Sequence, residues 1–110
     1  MIRIATAMAL AIIALPVAAK GDIEAGRAKA QVCQACHGAD GNGMGDPQYP
    51  RLAGQYADYL DKALRDYRSG ERSNPIMAGF AATLSDQDIR DLAAFYAAQK
   101  GPLRDLSHTR

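Results

Sequence analysis

Cys33-Gln34-Ala35-Cys36-His37 contains both cysteines of the 110-residue chain and one of its two histidines. Four chemistries compete for this stretch. A disulfide would close a loop of only a few residues and constrain the unfolded chain very little. A thioredoxin-like redox pair needs a preceding strand and a βαβ setting, whereas the residues before Cys33 are Ala-rich with helical spacing and no β-rich run follows. A closed zinc site needs a second Cys/His pair, and His108, alone in a polar C-terminal stretch, does not supply one. C-x-x-C-H is also the signature of covalent haem attachment. Thiols three positions apart reach two vinyl groups of a porphyrin as thioethers, and the adjacent histidine is held beneath the ring to bind iron. One covalently bound haem c on Cys33 and Cys36, with His37 as iron ligand, is the reading that fits a helical chain; haem-free thiol redox chemistry is its alternative.

Outside the motif, Arg3 is followed by an apolar run from Ile4 to Ala19 that is interrupted by Pro16. The run is short of the ~20 residues that span a bilayer. With its basic start and small-residue end, Val17-Ala18-Ala19, it reads as a secretory signal peptide cleaved after about Ala19. The expected location is therefore the periplasm, with a single domain over residues 20–110. Without Arg3, the 13 basic residues fall to 12 and match the 12 acidic ones. No basic field exists to bind nucleic acid. A domain this small buries little of its unfolded surface and needs a staple.

Asp22 is placed to N-cap a helix over 23–32, with Ile23, Gly26, Ala30 and Cys33 near one face. Gly26 costs about 1 kcal/mol relative to Ala in a helix interior, so close approach of another helix is expected there. Residues 38–54 form a Gly- and Pro-rich loop. They match neither a dinucleotide fingerprint, for want of a strand, nor a calcium loop, because Met44 and Arg51 fall on ligand positions. Tyr56, Leu60, Ala63, Leu64 and Tyr67 stripe an amphipathic helix over 56–69, with Tyr59 beside the stripe. Its charges read as a solvated face with pairs Asp58–Lys62 and Asp61–Arg65. Residues 71–84 lack periodicity and read as a loop. Ser85 and Asp88 offer a capping box for a last helix carrying Ile89, Leu92, Phe95 and Tyr96, ended by Gly101-Pro102. Residues 102–110 read as a flexible tail.

A haem bound through His37 alone would leave an open iron site. Met44 follows His37 too closely to reach the other face of a ring. Met77 stands beyond an intervening helix, which lets the chain cross over. Met77 is thus the expected second axial ligand, against the plainer alternative that it fills a gap in the core.

These residues together resemble the class I cytochromes c of bacteria, in particular single-haem relatives of the cytochrome c4 and c5 group. The resemblance runs from about Gly21 to Gln99. It rests on Cys33–Gly41, on Tyr49-Pro-Arg-Leu-Ala-Gly-Gln55, on Met77 and on Leu84–Tyr96. It implies an all-α fold, the small class I cytochrome c fold, with N- and C-terminal helices crossing and with helices and loops around one covalent haem. It places Gly26 at the crossing against Leu92 and Phe95, and gives the Pro50 carbonyl the Nδ1–H of His37. Arg51 and Gln55 become neighbours of the haem propionates. The chain departs from c4 in having one haem motif and from c5 in lacking an extra cysteine pair, and Phe80 stands where some relatives have a second methionine.

The function so implied is periplasmic electron transfer between redox protein partners, with no catalysis of its own. Docking would use a haem edge framed by Gln34, Ala35, Ala78 and Gly79. Rival readings are the electron-accepting cytochrome subunit of a periplasmic dehydrogenase, and a haem-based ligand sensor or peroxidase in which Met77 is weakly bound.

Overall fold

Asp22 starts the first helix as expected: its carboxylate accepts the Ala25 N–H at 3.0 Å, and α1 runs over Ile23–Lys29. The computed structural model describes residues 1–13 and 20–103. The expected cleavage point at Ala19, His108 and all but the first two residues of the expected tail lie outside the described residues. Met1–Ile13 carries no helix, and all its side chains are exposed. Among the described residues every regular element is helical.

The helix expected over 23–32 is shorter in its α-helical part. It tightens into a 3₁₀ turn over Ala30–Cys33 and continues as one α-helical turn, α2, over Gln34–His37. The 3₁₀ winding shifts the phase of the chain, so that Cys33, Cys36 and His37 all reach one cleft. Then comes α3, Ala57–Ser69, closed by Gly70 with φ 89°. Residues 71–84, expected to be a loop, contain a helix, α4, over Pro75–Ala81. Asn74 is the reason. Its side chain accepts the N–H groups of Ile76 and Met77, and Pro75 occupies the first turn, where its missing N–H costs nothing. Finally α5, Asp86–Ala97, begins with the expected Ser85/Asp88 capping box. It ends before Gly101-Pro102, at Ala97.

The terminal helices α1 and α5 pack across each other at Gly26. A Cβ there would overlap the Asp91 carbonyl and lie 2.7 Å from the Phe95 Cβ. The tightest contacts are with Asp91 and the expected Phe95, because the crossing runs over the backbone of α5. Asp91, buried, ties the start of α1 to α5 by accepting the Asp22 N–H at 2.8 Å and the Gln87 amide at 2.8 Å. The core is small: Phe95, Ile89 and Leu92 are its largest fully buried side chains.

The charges of α3 do more than face solvent. Asp61 pairs with Arg65 as expected, but Lys62 pairs forward with Asp66 rather than back with Asp58. Arg65 and Arg68 both reach Asp86 in the first turn of α5, at 3.0 and 2.6 Å. The Arg68 hydrogen bond, followed by the neighbouring Arg65 charge, holds the Asp86 carboxyl below its usual 3.8. A lowered pKa stabilises the fold above the unfolded value, and that contribution is lost as pH falls through the folded one. Between about pH 5 and pH 3, the thermal midpoint of Asp86→Asn should therefore fall less than that of the parent, as followed by circular dichroism.

Candidate haem site

His37 is held from two directions. The 3₁₀ turn and α2 deliver it to the cleft, and the glycine-rich loop then folds back onto it. The Gly43 N–H donates to the His37 carbonyl at 2.7 Å, and the His37 Nδ1–H donates to the Pro50 carbonyl at 2.8 Å. A carbonyl only accepts, so Nδ1 carries a proton, and Nε2 is the nitrogen left for a metal. That arrangement orients an iron-binding imidazole and raises its basicity. His37 is 6% exposed and sits 6.5 Å from Tyr49 in an edge-on ring contact.

The loop itself is anchored at Gly41. Its carbonyl accepts from Leu52 and Ala53, while its α-carbon lies so close to the Tyr96 ring that a Cβ would be 2.7 Å away. With φ +79°, only glycine meets both demands without strain. Asn42 fastens the same loop to the end of α5 by donating to the Lys100 carbonyl at 2.9 Å.

These elements enclose a cleft of about 1290 Å³, its open mouth included. Cys33, Cys36, His37, Pro50, Arg51 and Gln55 all line it. Met77 lines it as well, brought by α4, which packs on α3. Of the side chains expected to frame an exposed edge, Gln34, Ala35, Ala78 and Gly79 are absent from the lining; Val32, Tyr59, Ile76 and Phe80 are the exposed large apolar residues that border it. The difference at α4 is one of phase: a helix presents Ile76, Met77 and Phe80 together, where an extended segment would alternate. Gln55 also accepts the Tyr56 N–H at 2.9 Å. Sequence reasoning missed Tyr59, Tyr67 and Arg72, which line the same cleft. Tyr67 belongs to the apolar stripe and Tyr59 stands beside it, but a stripe does not tell core from cavity wall.

Burial pushes the Cys33 thiol up, only partly opposed by the adjacent Tyr96 hydroxyl, while the neighbouring Cys36 adds to the rise. Tyr96 is 3% exposed, and its hydroxyl lies against the Cys33 thiol. A domain with this little core that keeps a broad apolar cleft, two thiols and an imidazole whose Nδ1 is held by a backbone carbonyl fits a large, flat, covalently held group.

The cytochrome c family profile matches residues 23–99. The chain belongs to the cytochrome c family. It is 52% identical over 82 residues to cytochrome c4 of Pseudomonas aeruginosa, covering 74% of this chain and 40% of that protein. It is 46% identical over 83 residues to cytochrome c-554(548) of Halomonas halodenitrificans, covering 73% of this chain and 99% of that one. The crystal structure of reduced recombinant cytochrome c4 from Pseudomonas stutzeri superposes with a TM-score of 0.70 at 44% identity, covering 76% of this chain and 48% of that one. The chain thus spans about half or less of the length of the cytochromes c4 it matches and nearly all of the Halomonas protein. Membership of the cytochrome c family implies covalently bound haem c. The fold is the class I cytochrome c fold, and the sequence groups with c4.

Proposed function

We propose that this protein is a periplasmic electron carrier with one haem c, attached through Cys33 and Cys36 and ligated axially by His37 and Met77. The observation that carries this reading is one cleft walled by both thiols, an imidazole with its tautomer fixed, and a methionine on a separate element. The haem supplies a one-electron ferric/ferrous couple. The chain's own part is to hold both ligands in place, to exclude water and to set the potential. His37 is immobilised through Pro50, and Met77 is fixed by the Asn74 cap of α4. A Met77 thioether ligand beside the His37 imidazole would raise the potential relative to imidazole alone. Keeping the same two ligands in both oxidation states minimises the rearrangement that accompanies each transfer.

Nucleophilic catalysis by the Cys33 thiol fits poorly. A nucleophilic cysteine needs a depressed pKa, and burial raises that of Cys33. The signal peptide reading of Arg3–Ala19 supports export, and the balanced charge of residues 20–110 supports only modest long-range steering toward redox partners.

Spectroscopy tests the ligand set. The ferric holoprotein should show an iron–methionine charge-transfer band that vanishes in Met77→Ala, with a lower potential and new carbon monoxide binding in the ferrous variant. Rapid carbon monoxide binding by the ferrous parent would instead identify an open iron site and overturn Met77 as a ligand.

A further inference from the structure

Among the described residues, Arg51 and Arg72 are the only charged side chains that line the cleft. Arg72 is a surface arginine with an unusual restraint. Its Nη1 donates to the Tyr59 hydroxyl at 3.3 Å, and its Cζ lies 4.9 Å from the centroid of the Tyr67 ring. Both tyrosines belong to α3 and line the cleft themselves. The backbone is fixed too, because the Arg72 N–H donates to the Asp66 carbonyl at 3.1 Å. The Asp66 carboxylate pairs with Lys62 and acts on the guanidinium only as a further nearby charge, behind the Tyr59 hydrogen bond.

An unrestrained arginine at a surface extends into water, where its charge is screened within about 10 Å. A guanidinium bonded on one side and stacked on an aromatic face on the other is not free to do so. We propose that Arg72, clamped by Tyr59 and Tyr67, is a potential-setting residue: a fixed positive charge on the wall of the cleft that favours the reduced state of the bound iron. The inference rests on the haem reading above. The sign follows from electrostatics alone. Reduction adds one electron and breaks no bond, and a nearby cation stabilises the state with one positive charge fewer. Tyr59 and Tyr67 act through Arg72 by holding it near the cleft.

The test is a potentiometric titration of the holoprotein, with haem content of each variant read by the pyridine haemochrome spectrum. Arg72→Gln should lower the reduced-to-oxidised ratio at a fixed ambient potential about three- to tenfold, equivalent to about 30–60 mV for one electron. Arg72→Lys, which keeps the charge, should recover most of that loss. The double variant Tyr59→Phe/Tyr67→Leu should lie between parent and Arg72→Gln and show a steeper dependence on salt. A ratio for haem-loaded Arg72→Gln within about 1.5-fold of the parent would overturn the proposal. So would equal losses in Arg72→Gln and Arg72→Lys. A parent protein without covalent haem would overturn the underlying site reading instead, which the haemochrome spectrum distinguishes.

Discussion

The double substitution Cys33→Ala/Cys36→Ala is expected to leave the chain without a cooperatively folded state at 25 °C, even though both cysteines are only half-buried. The reason is the distribution of the core. Its buried hydrophobic residues are small apart from Leu60, Ile89, Leu92, Phe95 and Tyr96. Several of these, including Leu60, Leu92 and Tyr96, spend part of their surface on the cleft rather than on one another. A chain of this length gains rarely more than about 3–5 kcal/mol from a single core, and here that core is divided by a cavity. A covalently attached group fills the cavity and cannot dissociate, so both thioethers contribute directly to folding. Far-UV circular dichroism of the alanine variant should show reduced helix and a broad, non-cooperative melt, beside a sharp transition for the holoprotein. A sharp transition within a few degrees of the holoprotein would show that the helices sustain themselves without the group.

How far the sequence could be read tracks how local each signal is. The Asp22 and Ser85 caps and the amphipathic stripe of α3 are encoded over a few residues, and each is where the sequence places it. The helix α4 was equally local but was overlooked. Asn74-Pro75 is a cap followed by a first-turn proline, and the seven residues of α4 are too short for apolar periodicity to announce them. The Pro50–His37 hydrogen bond came only through family resemblance, since nothing in a loop sequence says which carbonyl will meet a ring thirteen positions away. Arg72 was not legible at all. Its role depends on two tyrosines one helix earlier and on where Gly70 turns the chain. The Asp86 bridge was hidden for the same reason, because Arg65 and Arg68 find it on another helix.

Gly26→Ala sets local propensity against packing, and the two predict opposite signs. Within α1 alone, replacing glycine by alanine should stabilise the helix by about 1 kcal/mol. At the crossing with α5, however, the new methyl group would overlap the carbonyl oxygen of Asp91 and stand 2.7 Å from the Phe95 Cβ. Neither obstacle is the end of a flexible side chain. The carbonyl belongs to the α5 backbone, and Phe95 is buried with Arg27 stacked over its ring at 5.2 Å. Relief therefore requires the helices to separate, which would also strain the Asp22–Asp91 hydrogen bond next to the crossing. Overpacking of this kind costs about 1–3 kcal/mol and occasionally more, and a backbone obstacle puts this site at the upper end. Guanidinium denaturation of the holoprotein should show a net loss of about 2 kcal/mol or more, with haem content unchanged. A gain in stability would mean that α1 and α5 can part without penalty, and that the crossing does not hold the ends of the domain together.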